Sequence, residues 1–124
     1  MEQMFYQCKH CGKIIAVVKE TGVGVYCCGD EMEELVPGVV EASLEKHIPV
    51  YEVVGNKVLV NVGSIAHPMA PEHYIEWVSL QTKAGNQRKQ LKPGDDPKVC
   101  FTICEDDEVE AVYAYCNLHG LWKK

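Results

Sequence analysis

The stretch that decides the fold is residues 48–62, which reads IPVYEVVGNKVLVNV. Residues 48–54 are mostly β-branched or aromatic, and such residues favour extended backbone. Gly55-Asn56 then supplies a tight turn. Residues 57–62 place three valines on one face of a strand, because successive side chains alternate between faces. The segment therefore predicts a β-hairpin with one buried face.

Three further segments continue this pattern towards the C-terminus. Residues 74–81, 99–104 and 109–115 read as strands, the last of them ending the predicted sheet structure, and loops rich in Gly, Pro, Asn and Asp separate them. No segment beyond Glu45 has helical periodicity. About six short strands at this spacing predict a mainly β domain folded as an antiparallel sandwich or barrel.

The composition narrows the class of protein. The chain has 124 residues with 47% apolar and 24% charged, which is globular composition. Its longest apolar runs, such as residues 14–18, are far too short to span a bilayer. The first residues lack the basic and apolar regions of a signal peptide, so we expect a cytoplasmic protein. A net charge of −6 without a basic block argues against nucleic acid or membrane as partner.

The first 36 residues differ from the remainder. They hold four cysteines and little apolar mass. A unit below about 40 residues usually needs a metal or disulfides to fold. Residues 34–46 read as a connector. The sequence therefore predicts two domains, residues 1–36 and residues 37–124.

Cysteine spacing in the first domain points to a metal. The seven cysteines are odd in number, and a reducing compartment keeps thiols unpaired. Cys8 and Cys11 form a C-x2-C knuckle, and the adjacent Cys27 and Cys28 follow. Four thiolates can enclose a tetrahedral zinc or iron. Adjacent ligands strain the backbone and distort the tetrahedron, which favours iron, and His10 inside the first knuckle is interpreted as exposed.

A second group of metal-binding residues lies in the second domain. Four histidines occupy strand edges or loops, and one cysteine follows the last predicted strand at C-x2-H spacing from a histidine; they are His47, His67, His73, Cys116 and His119. Two of these histidines flank a stiff loop containing Pro68 and Pro71. Imidazoles with one thiolate suit iron, copper or zinc.

Together these motifs resemble one family. The motifs, in chain order, are Cys8-x2-Cys11, Cys27-Cys28, Glu45-Lys46-His47-Ile48-Pro49, Gly63-Ser64-Ile65-Ala66-His67-Pro68-Met69, His73-Tyr74-Ile75-Glu76-Trp77, Leu91-Lys92-Pro93-Gly94 and Tyr115-Cys116-Asn117-Leu118-His119-Gly120. The chain resembles the desulfoferrodoxins, the two-iron superoxide reductases, over essentially its whole length.

The resemblance implies a ligand set for each of two iron ions. The four-cysteine centre would lie in a desulforedoxin-like domain and use Cys8, Cys11, Cys27 and Cys28. The catalytic iron would lie in an immunoglobulin-like β-sandwich and use His47, His67, His73 and His119 in a plane, with Cys116 as axial thiolate. Glu45 resembles the sixth ligand of the oxidised state, and Lys46 the cation beside the open position.

The resemblance also implies an activity and partners. The expected reaction is one-electron reduction of superoxide to hydrogen peroxide, which detoxifies superoxide without producing dioxygen. Rubredoxin or a similar small carrier would re-reduce the iron, and the family is typically homodimeric. Zinc in the four-cysteine site would leave the enzyme intact and make that domain a structural clip.

Two other functions compete with this interpretation. A blue-copper-like electron-transfer protein would use a β-sandwich with Cys116 and His119, although such sites need only two histidines. A zinc-stabilised binding module without catalysis would hold zinc in both sites. Cys100 and Cys104 share a predicted strand face and belong to neither ligand set.

Overall fold

The computed structural model describes residues 2–124. They divide into two compact units, which we call the cysteine unit (residues 2–36) and the sandwich unit (residues 37–124). Among these residues, no helix is long and apolar enough to cross a bilayer.

Short strands make up the cysteine unit. Three of them, β1 (Phe5–Gln7), β2 (Ile14–Ala16) and β5 (Glu33–Glu34), pair in the order β2-β1-β5. The others, β3 (Tyr26–Cys27) and β4 (Asp30–Glu31), form a hairpin of two residues on each side. Strands this short leave most backbone and side chains exposed, and the unit has only three buried apolar residues among those described: Phe5, Cys8 and Met32.

The sandwich unit begins with a one-turn helix and continues as two antiparallel sheets. The helix α1 spans Leu44–His47. One sheet has the order β10-β7-β6 and the other β12-β11-β8-β9. The strands are β6 (Pro49–Val54), β7 (Lys57–Val62), β8 (Ile75–Thr82), β9 (Asn86–Gln90), β10 (Lys98–Thr102), β11 (Val109–Cys116) and β12 (Gly120–Lys123). This confirms the mainly β fold class and the sandwich.

The core lies between the two sheets. Valines of β7 face it as the alternation predicted, and Leu80, Phe101 and Val112 are fully buried with them. Cys116, at the end of β11, belongs to the same apolar cluster. A core of this kind holds the elements at the strand ends in fixed places, and these elements, α1 and three loops, carry the four histidines.

Three elements differ from the sequence prediction. β12 follows β11, so residues 109–115 are not the last strand; Cys116–His119 turns the chain back and β12 pairs with β11. Residues 86–90 form β9, an edge strand that is exposed at every position. All five residues are polar, so the segment lacks the apolar alternation that indicates a strand in a sequence. α1 begins within the predicted connector and ends one residue beyond it, and four residues are too few to show a helical period.

Candidate metal centres

The cysteine unit brings its four thiols together. The sulfur atoms of Cys8, Cys11, Cys27 and Cys28 all lie within 4.8 Å of one another. The Cys11 and Cys27 sulfurs are 3.7 Å apart, and those of Cys27 and Cys28 are 3.9 Å apart. A tetrahedron with metal–sulfur bonds of about 2.3 Å has edges of about 3.8 Å. The four thiols therefore fit one tetrahedral metal ion.

Backbone geometry supports the same interpretation. The amides of His10 and Cys11 each donate to the Cys8 sulfur at 3.4 Å. The Cys11 amide is the main cause that lowers the pKa of Cys8 to about 6, whereas the neighbouring Cys27 thiol raises the pKa of Cys28 to about 12. Four clustered thiols cannot all ionise without a cation to neutralise them. The site therefore has the electrostatics of a metal-binding cluster.

Cys28 bears the strain expected of adjacent ligands. Its φ of 52° makes it the only non-glycine residue with positive φ among those described. Such a conformation costs about 1–3 kcal/mol and persists where the surroundings require it. His10 is exposed, as predicted, and its ring pairs with Asp30, which follows the second knuckle.

Four imidazoles of the sandwich unit form a nearly square ring. Successive centroids lie 4.5 Å apart for His47–His67, 4.8 Å for His67–His73, 5.0 Å for His73–His119 and 4.9 Å for His119–His47. The diagonal from His47 to His73 is 6.4 Å. Neighbouring rings are close to perpendicular, with interplanar angles of 80–85°. The arrangement directs four ring nitrogens towards a common centre.

The inward nitrogens have the spacing of metal ligands. His47 Nε2 lies 3.1 Å from His67 Nε2 and 3.1 Å from His119 Nδ1. Metal–nitrogen bonds of about 2.1 Å at right angles would place neighbouring nitrogens about 3.0 Å apart. His119 directs its Nδ1 towards the centre of the ring, whereas His47 and His67 direct their Nε2 atoms there. The ring therefore fits a metal ion at its centre.

Hydrogen bonds on the outer side fix which nitrogens are free. His47 Nδ1 lies 2.7 Å from the Ser43 carbonyl oxygen, and His67 Nδ1 lies 2.7 Å from the Pro68 carbonyl oxygen. A carbonyl oxygen only accepts, so each Nδ1 carries the proton and each Nε2 presents a lone pair. Two facing lone pairs repel unless a cation lies between them. This is the strongest local indication of a metal.

Burial favours the neutral form of three of the rings. It lowers the pKa of His67 to about 4 and also lowers the pKa of His47 and His73. Neutral imidazole is the form that binds metals. The set is thus ready to accept a cation near neutral pH.

Cys116 joins the ring from the core side. It is fully buried, and its Sγ lies 3.8 Å from His119 Nδ1. Burial raises the pKa of this thiol, while the backbone amides of His119 and Leu118 act in the opposite direction by donating to the sulfur. A cation is needed to hold such a sulfur as thiolate. The structure therefore brings together all five residues proposed from the sequence for this centre.

Close packing locks α1 beside the His67 loop. A Cβ on Gly63 would lie 2.6 Å from the Glu45 carbonyl oxygen and 2.8 Å from that of Ile48, so only glycine fits there. The Glu45 carbonyl also accepts hydrogen bonds from the Ile65 amide at 2.9 Å and the Ser64 hydroxyl at 3.2 Å. The segment carrying Glu45 and His47 is thereby fixed against the segment that leads to His67.

The two residues predicted beside the open position differ in placement. Lys46 is half-buried, and its charge adds to burial and to the other histidines in lowering the pKa of His47 and His73. Glu45 is exposed and belongs to neither cluster of ligand atoms. Its own backbone amide is the main cause that lowers the pKa of its carboxyl group. Lys46 thus lies near the imidazoles, and the Glu45 side chain lies outside both clusters.

One supporting residue, Trp122, was not singled out from the sequence. Trp122 packs on the His47 ring at 5.0 Å between centroids and donates from Nε1 to the His119 carbonyl oxygen at 3.1 Å. β12, which carries it, was not predicted. The remaining cysteines lie outside both clusters, Cys100 half-buried on β10 and Cys104 exposed beyond it.

Comparisons with known proteins agree with this geometry. The desulfoferrodoxin family model matches residues 39–124. A desulfoferrodoxin homolog from Archaeoglobus fulgidus is 48% identical over 118 residues, covering 95% of this chain and 93% of the relative. The desulfoferrodoxin of Nitratidesulfovibrio vulgaris is 44% identical over 118 residues, covering 95% and 92%.

A solved structure is similar along the whole chain. The crystal structure of the superoxide reductase from Treponema pallidum superposes with a TM-score of 0.85 at 42% identity, covering 100% of this chain and 99% of the other. The relatives and the solved structure cover both units, and the family model covers the sandwich unit. The chain belongs to the desulfoferrodoxin family.

Proposed function

We propose that this protein is a superoxide reductase, with its catalytic iron bound by His47, His67, His73, His119 and Cys116. The observation that carries the proposal is the near-square ring of four imidazoles joined by one buried thiol. Blue-copper sites use two histidines, so the four-imidazole ring supports the reductase over the copper carrier. The resemblance to a superoxide reductase of known structure supports the same conclusion.

Ferrous iron bound there would supply one electron, which with two protons converts superoxide to hydrogen peroxide. The residues of the chain provide the setting for this reaction. The imidazoles would hold the iron without adding negative charge, and the sulfur of Cys116 would bind it from the core side. A small oxidant would therefore reach the iron from the side that faces away from the core.

Lys46 is proposed to attract the substrate. Superoxide is an anion and the chain carries a net charge of −6, so a local cation has to offset the general repulsion. Lys46 precedes His47 and is close enough for its charge to affect two of the rings.

Glu45 is proposed as the sixth ligand of the oxidised state. Glu45 lies on α1 two residues before His47, and its side chain is exposed. Exposure would allow the side chain to move towards the metal after oxidation. We assign it to the period after turnover and not to capture of superoxide.

The four-cysteine centre is proposed to hold iron, with zinc as the alternative metal.

The proposed electron donor is rubredoxin or a similar carrier. The protein is also proposed to act as a homodimer in the cytoplasm. Sedimentation of the purified protein tests the dimer.

Metal analysis followed by a superoxide pulse tests the function. We expect two irons per chain in anaerobically purified protein, or one iron and one zinc if the cysteine unit is a clip. Reduced protein should then consume superoxide with one hydrogen peroxide formed per superoxide and no dioxygen. Evolution of dioxygen would indicate dismutation and contradict the proposal.

Two matched variants connect the activity to the site. Cys116→Ser should abolish turnover, whereas Cys100→Ser, the same change outside both clusters, should leave it intact. Zinc in both sites and no redox activity would favour the binding module. Copper with an intense thiolate band and no iron would favour the electron carrier.

A further inference from the structure

His73 is held differently from the two fully enclosed rings. His47 and His67 are each anchored by a hydrogen bond from Nδ1 to a carbonyl oxygen. Within residues 2–124 the His73 ring has no such anchor, and its buried Nε2 has no hydrogen-bond partner. Something other than the ring must fix the direction in which this imidazole points.

The backbone around His73 supplies that constraint. The main chain of His73 exchanges two hydrogen bonds with Ala70, at 3.0 and 3.1 Å. On either side, Asn117 holds its neighbours: Asn117 Nδ2 donates to the Glu72 carbonyl oxygen at 3.1 Å, and Asn117 Oδ1 accepts from the Tyr74 amide at 2.9 Å. The Asn117 amide also donates to the Tyr74 carbonyl oxygen at 3.2 Å. Asn117 therefore holds the backbone on both sides of His73, and we call its two side-chain hydrogen bonds the Asn117 bracket.

The chemistry of this bracket requires a carboxamide. The Tyr74 amide can only donate, so it needs an oxygen, and the Glu72 carbonyl can only accept, so it needs an N–H. A planar amide group offers both at once. A carboxylate of the same shape would satisfy Tyr74 and place a second oxygen against the Glu72 carbonyl.

Asn117 also lies in the turn that carries other proposed ligands. It follows Cys116 directly and precedes His119 by two residues. The ladder between β11 and β8 loses its regular register between Tyr115 and Cys116, so strand pairing alone does not set the spacing here. The Asn117 side chain replaces that pairing and joins the His73 loop to the Cys116–His119 turn.

We propose that Asn117 is a positioning residue for the catalytic metal, setting His73 at its corner of the imidazole square. The inference rests on the ligand set of the proposed function. It assigns to Asn117 no contact with metal or substrate. Its effect passes through the backbone of Glu72 and Tyr74.

The test compares three variants loaded with iron. Asn117→Ala removes the bracket, and Asn117→Asp keeps the size but loses the donor to Glu72. Asn61→Ala, on the exposed face of β7, is the matched control. We expect both Asn117 variants to bind iron at the histidine site about 10- to 100-fold more weakly in competition with a chelator. The electron paramagnetic resonance signal of that ferric centre should change shape, while the four-cysteine centre in the same molecule serves as an unchanged reference.

A second measurement uses metal-free protein. Hydrogen exchange at the Tyr74 amide should accelerate in Asn117→Ala and remain slow in Asn61→Ala, while amides in the middle of β8 stay protected in all three variants. Protected β8 amides show that the sandwich is folded, so a loss of metal affinity is not a loss of structure.

The outcomes separate this inference from the function on which it rests. Wild-type affinity and spectrum in Asn117→Ala, with the wild type itself holding iron at the histidine site, would overturn the role of Asn117 alone. Asn117→Asp behaving as wild type would also contradict it, because the donor to Glu72 would then be dispensable. A wild type that binds no iron outside the four-cysteine centre would overturn both.

Discussion

The two units build metal sites in opposite ways. In the cysteine unit, three of the four proposed ligands are at least partly exposed, and the five strands have only two or three residues each. In the sandwich unit, strands of up to eight residues enclose a continuous apolar core, and three of the five ligands are buried. The first unit therefore has little apolar core to order it, whereas the second has a core of its own.

This difference shows which interactions fix the geometry of each site. Knuckles whose amides point at sulfur become fixed when the thiolates share a cation, so metal binding and folding are one event. The imidazole ring is held by carbonyl oxygens, a tryptophan and the packing of Gly63, all of which belong to the protein itself. A preformed ring of this kind can leave a coordination position free for chemistry.

Removal of metal should produce the largest contrast. Cys11→Ser or exhaustive chelation should unfold the cysteine unit, because metal binding contributes about 10–16 kcal/mol to small structural sites. The sandwich unit should remain folded. Hydrogen exchange followed residue by residue measures this, with rapid exchange in β1 and β2 and slow exchange in β8 and β11. Equal protection of the two units without metal would show that the comparison is wrong.

A core truncation should produce the reverse effect. Phe101 is fully buried in the sandwich, and Phe101→Ala should lower its free energy of unfolding by about 3–5 kcal/mol. The four-cysteine centre should keep its absorption spectrum. Denaturant titration followed by tryptophan fluorescence reports the sandwich, since both tryptophans lie in it. Bleaching of the thiolate bands along with the sandwich transition would mean that the units unfold together.

Gly63→Ala tests how closely α1 must approach the His67 loop. The added Cβ would lie under 3.0 Å from two carbonyl oxygens, so the segments must separate at a cost of about 1–3 kcal/mol. Ser64→Ala, which removes only the hydroxyl contact with the Glu45 carbonyl, is the control and should cost about 0.5–1 kcal/mol. Thermal denaturation compares them. A Gly63→Ala protein as stable as the control would show that the approach is not required.

Lys46→Ala should slow capture of superoxide about tenfold and flatten its dependence on salt, because a steering cation is lost. Pulse radiolysis measures the bimolecular rate at several ionic strengths. Lys57→Ala, which removes an exposed amine from β7, should change neither the rate nor its salt dependence. An unchanged rate in Lys46→Ala would remove Lys46 from the mechanism.

Glu45→Ala should leave capture of superoxide nearly intact while altering the spectrum of the oxidised protein.

The smallest effect concerns acid sensitivity at the end of the sandwich away from metal chemistry. The Thr82 hydroxyl, with the Ala84 and Glu108 amides, holds the pKa of Asp107 below its ordinary value. A depressed carboxyl pKa stabilises the fold above the unfolded value of about 3.9 and loses this contribution as pH falls through the folded value. Melting temperatures between about pH 6 and pH 3 should therefore fall less steeply in Asp107→Asn than in the wild type. Identical slopes would contradict the assignment.

Much of the site follows from sequence because its residues have few alternative uses. Four cysteines in a unit without a core, and histidines in loops next to prolines, indicate metal binding through residue type and spacing alone. The hairpin of residues 48–62 is likewise local, since alternation and a Gly55-Asn56 turn determine it. β9 and β12 were missed for the opposite reason. A fully polar edge strand and a four-residue strand are defined by the neighbours with which they pair.

The sequence by itself determined the β architecture and predicted the kinds of ligand and their division between two domains, because these depend on composition and short-range pattern. Only the tertiary structure decided which nitrogen of His119 faces the other imidazoles. It also decided that two carbonyl oxygens pack against Gly63, and that Asn117 holds the backbone on both sides of His73. Each of these depends on a contact between residues that lie far apart in the chain. Such contacts are set by strand register and core packing, which fix distances to tenths of an ångström that no local pattern encodes.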